Sequence, residues 1–391
     1  MKTTIVRTYT LMAFLLRFAP AFFFATYQLF LTEHGMSIFQ ISLINGAYML
    51  SVFILEVPTG AFADSFGRKQ SIVWGCIILG LSFLIYFTSD SFGGFIIAEI
   101  VGALGSTLIS GALDAWAVDS LAAANIDTPL EALFKREEGY KQAGVISGSL
   151  IGSFIGSVNL SLPWLISGAL MLASAICAHR LMIETRQRES VFKFSLAPLL
   201  HTARDSWISS RSNPAFLRLA GVGAILMMSV QSLNMQWPLL FRTGFNLPVW
   251  SLGVIFAGIA TTTALGARFA PLTARKTRHG GQGLAIAFFI IGITMILSGQ
   301  ASFVAPALTY FLLHEFGRGL FGPLKKAMIN RRIDGQNRAT MLSLDAMALS
   351  AGAFVGLIGG GWLGTHSIAL AWSGSGILLL AVVPLLYRKA V

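Results

Sequence analysis

The groups in this sequence that could do chemistry are ionisable side chains standing inside long apolar runs, where a charge is costly and persists only for a purpose. His314, Glu315 and Arg318 form the densest cluster. Glu315 stands three residues before Arg318 and His314 four, spacings that bring all three onto neighbouring faces of a helix. A histidine beside a carboxylate in partial desolvation can exchange a proton near neutral pH, which is what proton coupling requires. An intrahelical pair that satisfies only itself is the alternative. Arg17 lies in the first apolar run, three residues before Pro20, which should loosen the backbone there. A guanidinium at that depth must face a cavity or an acid. A role in substrate binding or coupling and a structural ion pair are both open to it. Gln231, Asn234, Gln236 and Trp237, just ahead of Pro238, offer uncharged hydrogen-bonding groups and an aromatic, suited to a substrate wall or to bonding between helices.

A second set lies near the ends of the runs. Asp114 and Asp119 close the fourth run, and Lys326 and Arg331 hold the matching positions after the tenth with the signs inverted. Such a set could form a cytoplasmic gate, made in one conformation and broken in the other. Local pairing of the two aspartates, with bases of a nearby turn or with Lys135 and Arg136, is the competing account. Glu56, two residues before Pro58, reads as a member of the same inner network, and Glu99 lies toward the outer end of the fourth run.

The elements that must position these groups are membrane helices. Of 391 residues, 55% are hydrophobic and only 12% charged, and the mean hydropathy is +0.71. A soluble chain carries about twice that charge. The apolar runs are continuous rather than alternating, so they read as helices and not as barrel strands. We place twelve, at 8–32, 39–63, 70–89, 94–118, 139–159, 162–182, 215–241, 248–272, 282–299, 301–324, 338–361 and 368–387. They fall into two bundles of six, at 1–182 and 215–391, joined by a basic and aromatic stretch at 183–214. That stretch reads as an amphipathic segment on the inner membrane surface or as a solvated linker.

The net charge of +11 would suggest nucleic acid in a soluble protein, but here nearly all the bases fall in alternate loops. That is the orientation bias of a multi-pass membrane protein, with both termini in the cytoplasm and only Arg242 outside. The N-terminal run lacks a clear cleavage site and reads as a retained first helix. Cys76 and Cys177 both lie in apolar runs, and no disulfide framework or metal site is expected. No phosphate-binding loop, metal-ligand spacing, nucleophile elbow or long filter loop occurs, which argues against an ATP-driven pump, an enzyme or a selective channel. No cofactor is implied.

The stretch Gly60-x-x-x-Asp64-x-x-Gly67-Arg68-Lys69 joins the second and third runs. Small residues there would let helix ends approach, Asp64 could cap a helix N-terminus, and the two bases face an anionic leaflet. This pattern resembles the signature turn of the major facilitator superfamily of secondary transporters. The resemblance implies an all-α fold of twelve spans in two pseudo-symmetric six-helix bundles, with substrate bound near the midplane between them. Weak internal repetition agrees, since Tyr27-Gln-Leu-Phe-Leu-Thr is echoed by Trp237-Pro-Leu-Leu-Phe-Arg. Helix five carries Gly144, Gly148, Gly152 and Gly156, and helix eleven Gly352, Gly356 and Gly360, spacings that allow close helix packing. The length and span count are similar to the drug/proton antiporter branch, although the arginine which that branch places in helix four is absent. The expectation is a monomeric inner-membrane transporter working by alternating access. It would exchange protons for a small amphiphilic or drug-like molecule, leaving the cell. An organic anion, drawn by Arg17 and Arg318, is the alternative substrate, and a membrane-embedded enzyme or receptor a remote one.

Overall fold

The computed structural model describes residues 2–184, 213–277, 280–330 and 338–388, which are almost entirely helical and contain no strand. Contacts group the chain into two compact units, one of residues 1–35, 44–198 and 248–257 and the other of 36–43, 199–247 and 258–391.

The first unit begins with α1 (Lys2–Phe24) and α2 (Tyr27–Glu33), which together make one broken span. The helix passes through Pro20, which is buried, and the break falls at Ala25 and Thr26 rather than at the proline. There the Thr26 N–H donates to the Phe23 carbonyl at 3.0 Å, a tight last turn that ends the helix. Next come α3 (Ile38–Phe66), which belongs to this unit from residue 44 on, and α4 (Arg68–Thr88), the two separated by Gly67 alone. The fourth span is also broken, into α5 (Phe92–Ile109) and α6 (Ala112–Ala123), with Gly111 at a φ of +67° between them. Ser91 starts α5 by accepting the Gly94 N–H at 3.1 Å. Helix α7 (Leu130–Gly156) begins well before the expected residue 139, so Lys135 and Arg136 lie in its first turns and not in a loop. The pair Glu137 and Lys141, four apart, and Arg136 over the Tyr140 ring stabilise that charged extension. Helix α8 (Leu162–Leu181) completes the unit.

The second unit holds α9 (Pro214–Leu239), which ends in a wide π turn at Leu240–Gly244, then α10 (Val249–Lys276) from residue 258 on, α11 (Gly280–Gln300), α12 (Val304–Asn330), α13 (Arg338–His366) and α14 (Ile368–Arg388). With α1–α2 and α5–α6 counted as single broken spans, the fourteen described helices form twelve crossings. Ten of the runs are apolar enough to qualify on composition alone. The other two are α7 and α12, which carry six and four charged residues. The linker expected at 183–214 lies outside the described residues except at its ends.

Packing repeats between the units. In the first, α1 lies on α7 and α8, and α4 on α5 and α8; in the second, α9 lies on α13 and α14, and α11 on α12 and α14. The glycine stripes explain the tightest of these. Gly144, Gly148 and Gly152 of α7 face backbone atoms of Phe14, Phe18 and Phe22 on α1, and Gly352 and Gly356 of α13 face those of Ala224 and Met228 on α9. A side chain at any of them would enter the neighbouring backbone, so helix contact in lipid rests on their smallness.

The signature turn departs from its expected geometry. Asp64 does not cap α4; its Oδ1 takes a 2.6 Å ion pair from Arg68 Nη2, four residues on. The capping carboxylate is Glu184, whose Oε2 accepts the Lys69 N–H at 3.0 Å. Gly67, at a φ of +101°, permits both the sharp connection and the approach of Glu184. Gly60, by contrast, has no neighbour within 4 Å of where a side chain would start, so it does not serve close approach. Glu56 does not join the Asp64–Arg68 pair; its Oε1 accepts the Ser110 hydroxyl at 2.8 Å.

Candidate functional site

In the second unit, glycines on both sides of a contact draw α10 and α12 together. Gly266 of α10 faces the Phe316 carbonyl, and Gly319 of α12 faces that of Thr263. This approach sets the Thr263 hydroxyl 3.3 Å from Glu315 Oε2. On α12, Arg318 Nη1 reaches back three residues to Glu315, at 2.9 Å from Oε1 and 3.2 Å from Oε2. The same Nη1 donates to Asn234 Oδ1 on α9 at 2.8 Å, and Asn234 Nδ2 in turn donates to Gln231 Oε1 at 2.7 Å. Three helices therefore meet at the Glu315–Arg318 pair.

Burial grades across this network. The Glu315 side chain is 2% exposed and that of Arg318 26%, so the acid is sealed while its partner reaches an accessible surface. Among the described residues every hydrogen bond of Arg318 uses Nη1, which leaves Nε and Nη2 as donors for something else. His314 is fully buried with Nδ1 3.3 Å from Glu315 Oε1, yet neither ring nitrogen is aligned for a hydrogen bond. It sits in the field of the acid without fixing it. Charge-assisted bonds such as those of Arg318 contribute about 1.5–3 kcal/mol each. Protonating Glu315 would therefore loosen the guanidinium, and deprotonation would recapture it.

Five of the seven residues nominated from sequence thus converge: Gln231, Asn234, His314, Glu315 and Arg318. Trp237 is 4% exposed and packs against Phe241 and Phe311. Arg17 belongs to the first unit, is exposed, and makes no hydrogen bond or ion pair with another described residue. Its guanidinium lies in electrostatic range of Tyr48 rather than against an acid.

The two aspartates nominated for a cytoplasmic gate have local partners. Asp114 accepts the Tyr9 hydroxyl at 2.8 Å, and Asp119 Oδ2 stands 3.8 Å from Arg68 Nε of the signature turn. Lys326 is exposed, and Arg331 lies outside the described residues. The buried base at this end of α12 is its neighbour Lys325, which donates to Asp345 of α13 at 2.6 and 2.9 Å.

Sequence reasoning left one further cluster out of its nominated site. Glu99 of α5 is 8% exposed, and its Oε1 accepts hydroxyls from Tyr27 of α2 at 2.7 Å and Tyr86 of α4 at 2.6 Å. Its members come from three helices with no shared spacing. An acid in an apolar run was the only signal available. A separate groove of about 340 Å³ in the same unit is apolar, lined by Leu55, Phe62, Trp74 and Leu108 among others, and presents no titratable group.

A family model described as Major Facilitator Superfamily matches residues 9–313. An uncharacterized MFS-type transporter of Methanocaldococcus jannaschii, MJ1560, is 22% identical over 84% of this chain and 83% of its own length. Quinolone resistance protein NorA of Staphylococcus aureus strain MSSA476 is 22% identical over 92% of this chain and 90% of its own. Among solved structures, nucleoside transporter NupG superposes with a TM-score of 0.80 at 12% identity, covering 98% of this chain and 99% of that one.

Proposed function

This chain belongs to the major facilitator superfamily and is a transporter rather than an enzyme, and from that premise we propose that it couples proton movement to efflux of a small amphiphilic or drug-like molecule by alternating access. It does so as a multi-pass protein of the inner membrane, as a monomer with both termini cytoplasmic. The observation that carries this reading is the α9–α10–α12 network, in which one guanidinium is shared between a sealed acid and an amide. With Glu315 ionised, Arg318 is held by it and by Asn234. A proton on Glu315 cancels its charge and frees Arg318 for a polar group of the substrate; loss of the proton restores the pair. His314 tunes that exchange through its proximity. The likeness to NorA, named for quinolone resistance, supports the drug-like substrate.

The free Nε and Nη2 of Arg318 favour a second reading, transport of an organic anion whose carboxylate they would bind. The test is proton movement in proteoliposomes on addition of ethidium or of a dicarboxylate. Ethidium-linked proton movement that is lost in Glu315→Gln supports efflux of amphiphiles. A response to the dicarboxylate alone, lost in Arg318→Gln, would replace it with the anion reading.

A further inference from the structure

Four acids are buried among the described residues, Glu99, Glu137, Glu315 and Asp345, and three of them face a cation: Glu137 pairs with Lys141 and Asp345 with Lys325. Glu315 has a guanidinium at 2.9 Å. Glu99 has no cation within ion-pair distance among the described residues, only the hydroxyls of Tyr27 and Tyr86, both on Oε1. The two tyrosine oxygens are 3.4 Å apart, and Oε2 takes no hydrogen bond from a described residue.

The surroundings are filled with rings. Trp164 of α8 stacks on Tyr86 at 4.0 Å and on Phe23 at 3.9 Å, and Phe95 stacks on Tyr86 at 5.4 Å. Rings in van der Waals contact leave no room for an organic cation or a hydrated metal ion. The groups facing this acid can be named helix by helix. Helix α2 brings Tyr27 and, farther out, His34, which is bound to the Phe30 carbonyl and lies 3.5 Å from Asp90. Helix α3 brings Asn45 and Tyr48, the latter donating to Ser106 at 3.0 Å, and α4 brings Tyr86. Helix α8 brings no titratable side chain to it, and Arg17 of α1 reaches only the field of Tyr48.

An ionised carboxylate in such a cage costs several kcal/mol, and two neutral donors offset only part of that. A cation must therefore accompany Glu99 whenever the cage is dry, and the only one that fits is a proton. We propose that Glu99 is a second proton-binding site of this transporter, distinct from Glu315, with Oε2 as the atom that takes the proton. A hydronium gives up its proton to Oε2, an O–H bond forms, and the side chain passes from a charge of −1 to neutral. When water re-enters, the bond breaks, the proton leaves with the water, and the two tyrosine hydroxyls hold the carboxylate. The inference rests on the transport reading above for its role in coupling, but the protonation itself does not.

Infrared difference spectroscopy of the purified full-length protein during a pH titration separates the two. A carboxyl C=O band that titrates in the wild type and in Glu315→Gln, and is lost in Glu99→Gln, is the expected result. Tyr27→Phe removes a donor to the charged form, so the same band should titrate at higher pH in that variant. A band unaffected by Glu99→Gln, or a titration that does not move in Tyr27→Phe, would overturn the assignment. In proteoliposomes, fewer protons moved per ethidium in Glu99→Gln, with ethidium exchange persisting, gives the coupling role; an unaltered proton count removes it. If the wild type moves no protons with ethidium, the efflux reading fails while the infrared band still decides Glu99.

Discussion

At the scale of single residues, the same chemistry has different consequences according to what stands opposite. Lys325 and Asp345 are a buried pair bonded through both carboxylate oxygens, and the end of the lysine lies against Gly223 of α9. Removing one member leaves the other as an uncompensated buried charge, a loss of about 3–5 kcal/mol. Lys325→Gln should therefore lower the melting temperature of the detergent-purified protein sharply, and Lys325→Gln with Asp345→Asn should recover most of the loss. Equal effects of the single and double changes would show that the two residues act independently. The neighbouring Lys326, which sequence position had singled out, is exposed, and its neutralisation should leave stability within about 0.5 kcal/mol. Nothing in the local sequence distinguishes two adjacent lysines; the helix turns one inward because α13 supplies Asp345 on that side.

At the scale of helices, glycine spacing was readable and its partners were not. The i, i+4 repeats in α7 and α13 announce close packing, yet only the tertiary arrangement shows that they press on α1 and α9. Gly152→Leu and Gly356→Leu each drive a side chain into a backbone carbonyl and should cost more than the ~1–3 kcal/mol of ordinary overpacking. Gly60→Ala, in a helix interior with open space beside it, should instead stabilise by roughly 0.5–1 kcal/mol. Thermal melting of the three variants checks the contrast. A destabilising Gly60→Ala would mean that this signature glycine meets a neighbour in another state of the transporter. The signature turn carries the same lesson: its bases and acid were legible, but the carboxylate that caps α4 comes from Glu184, over a hundred residues away.

At the scale of the molecule, each unit repeats the packing order of the other although their sequences share only short echoes. The charge distribution predicts sidedness. An impermeant maleimide applied outside intact cells should label Thr243→Cys, in the π turn that ends α9, and not Lys326→Cys, near the C-terminal end of α12, which the loop charges assign to the cytoplasm. Labelling of both from one side would break the twelve-span topology.

The sequence by itself determined the class of the protein, the number of spans, the family and five members of the α9–α10–α12 network. Hydropathy, loop charge and helical periodicity are local quantities, and a charge in an apolar run is conspicuous wherever it falls. The Glu315–Arg318 pair, three residues apart on α12, was legible in the same way. The sequence could not determine what would face Glu99, an acid with no base near it in the chain. Only the packing of α2, α4 and α5 surrounds it with neutral hydroxyls. That environment arises from contacts across helices, whose free energy depends on distance and desolvation rather than on order along the chain.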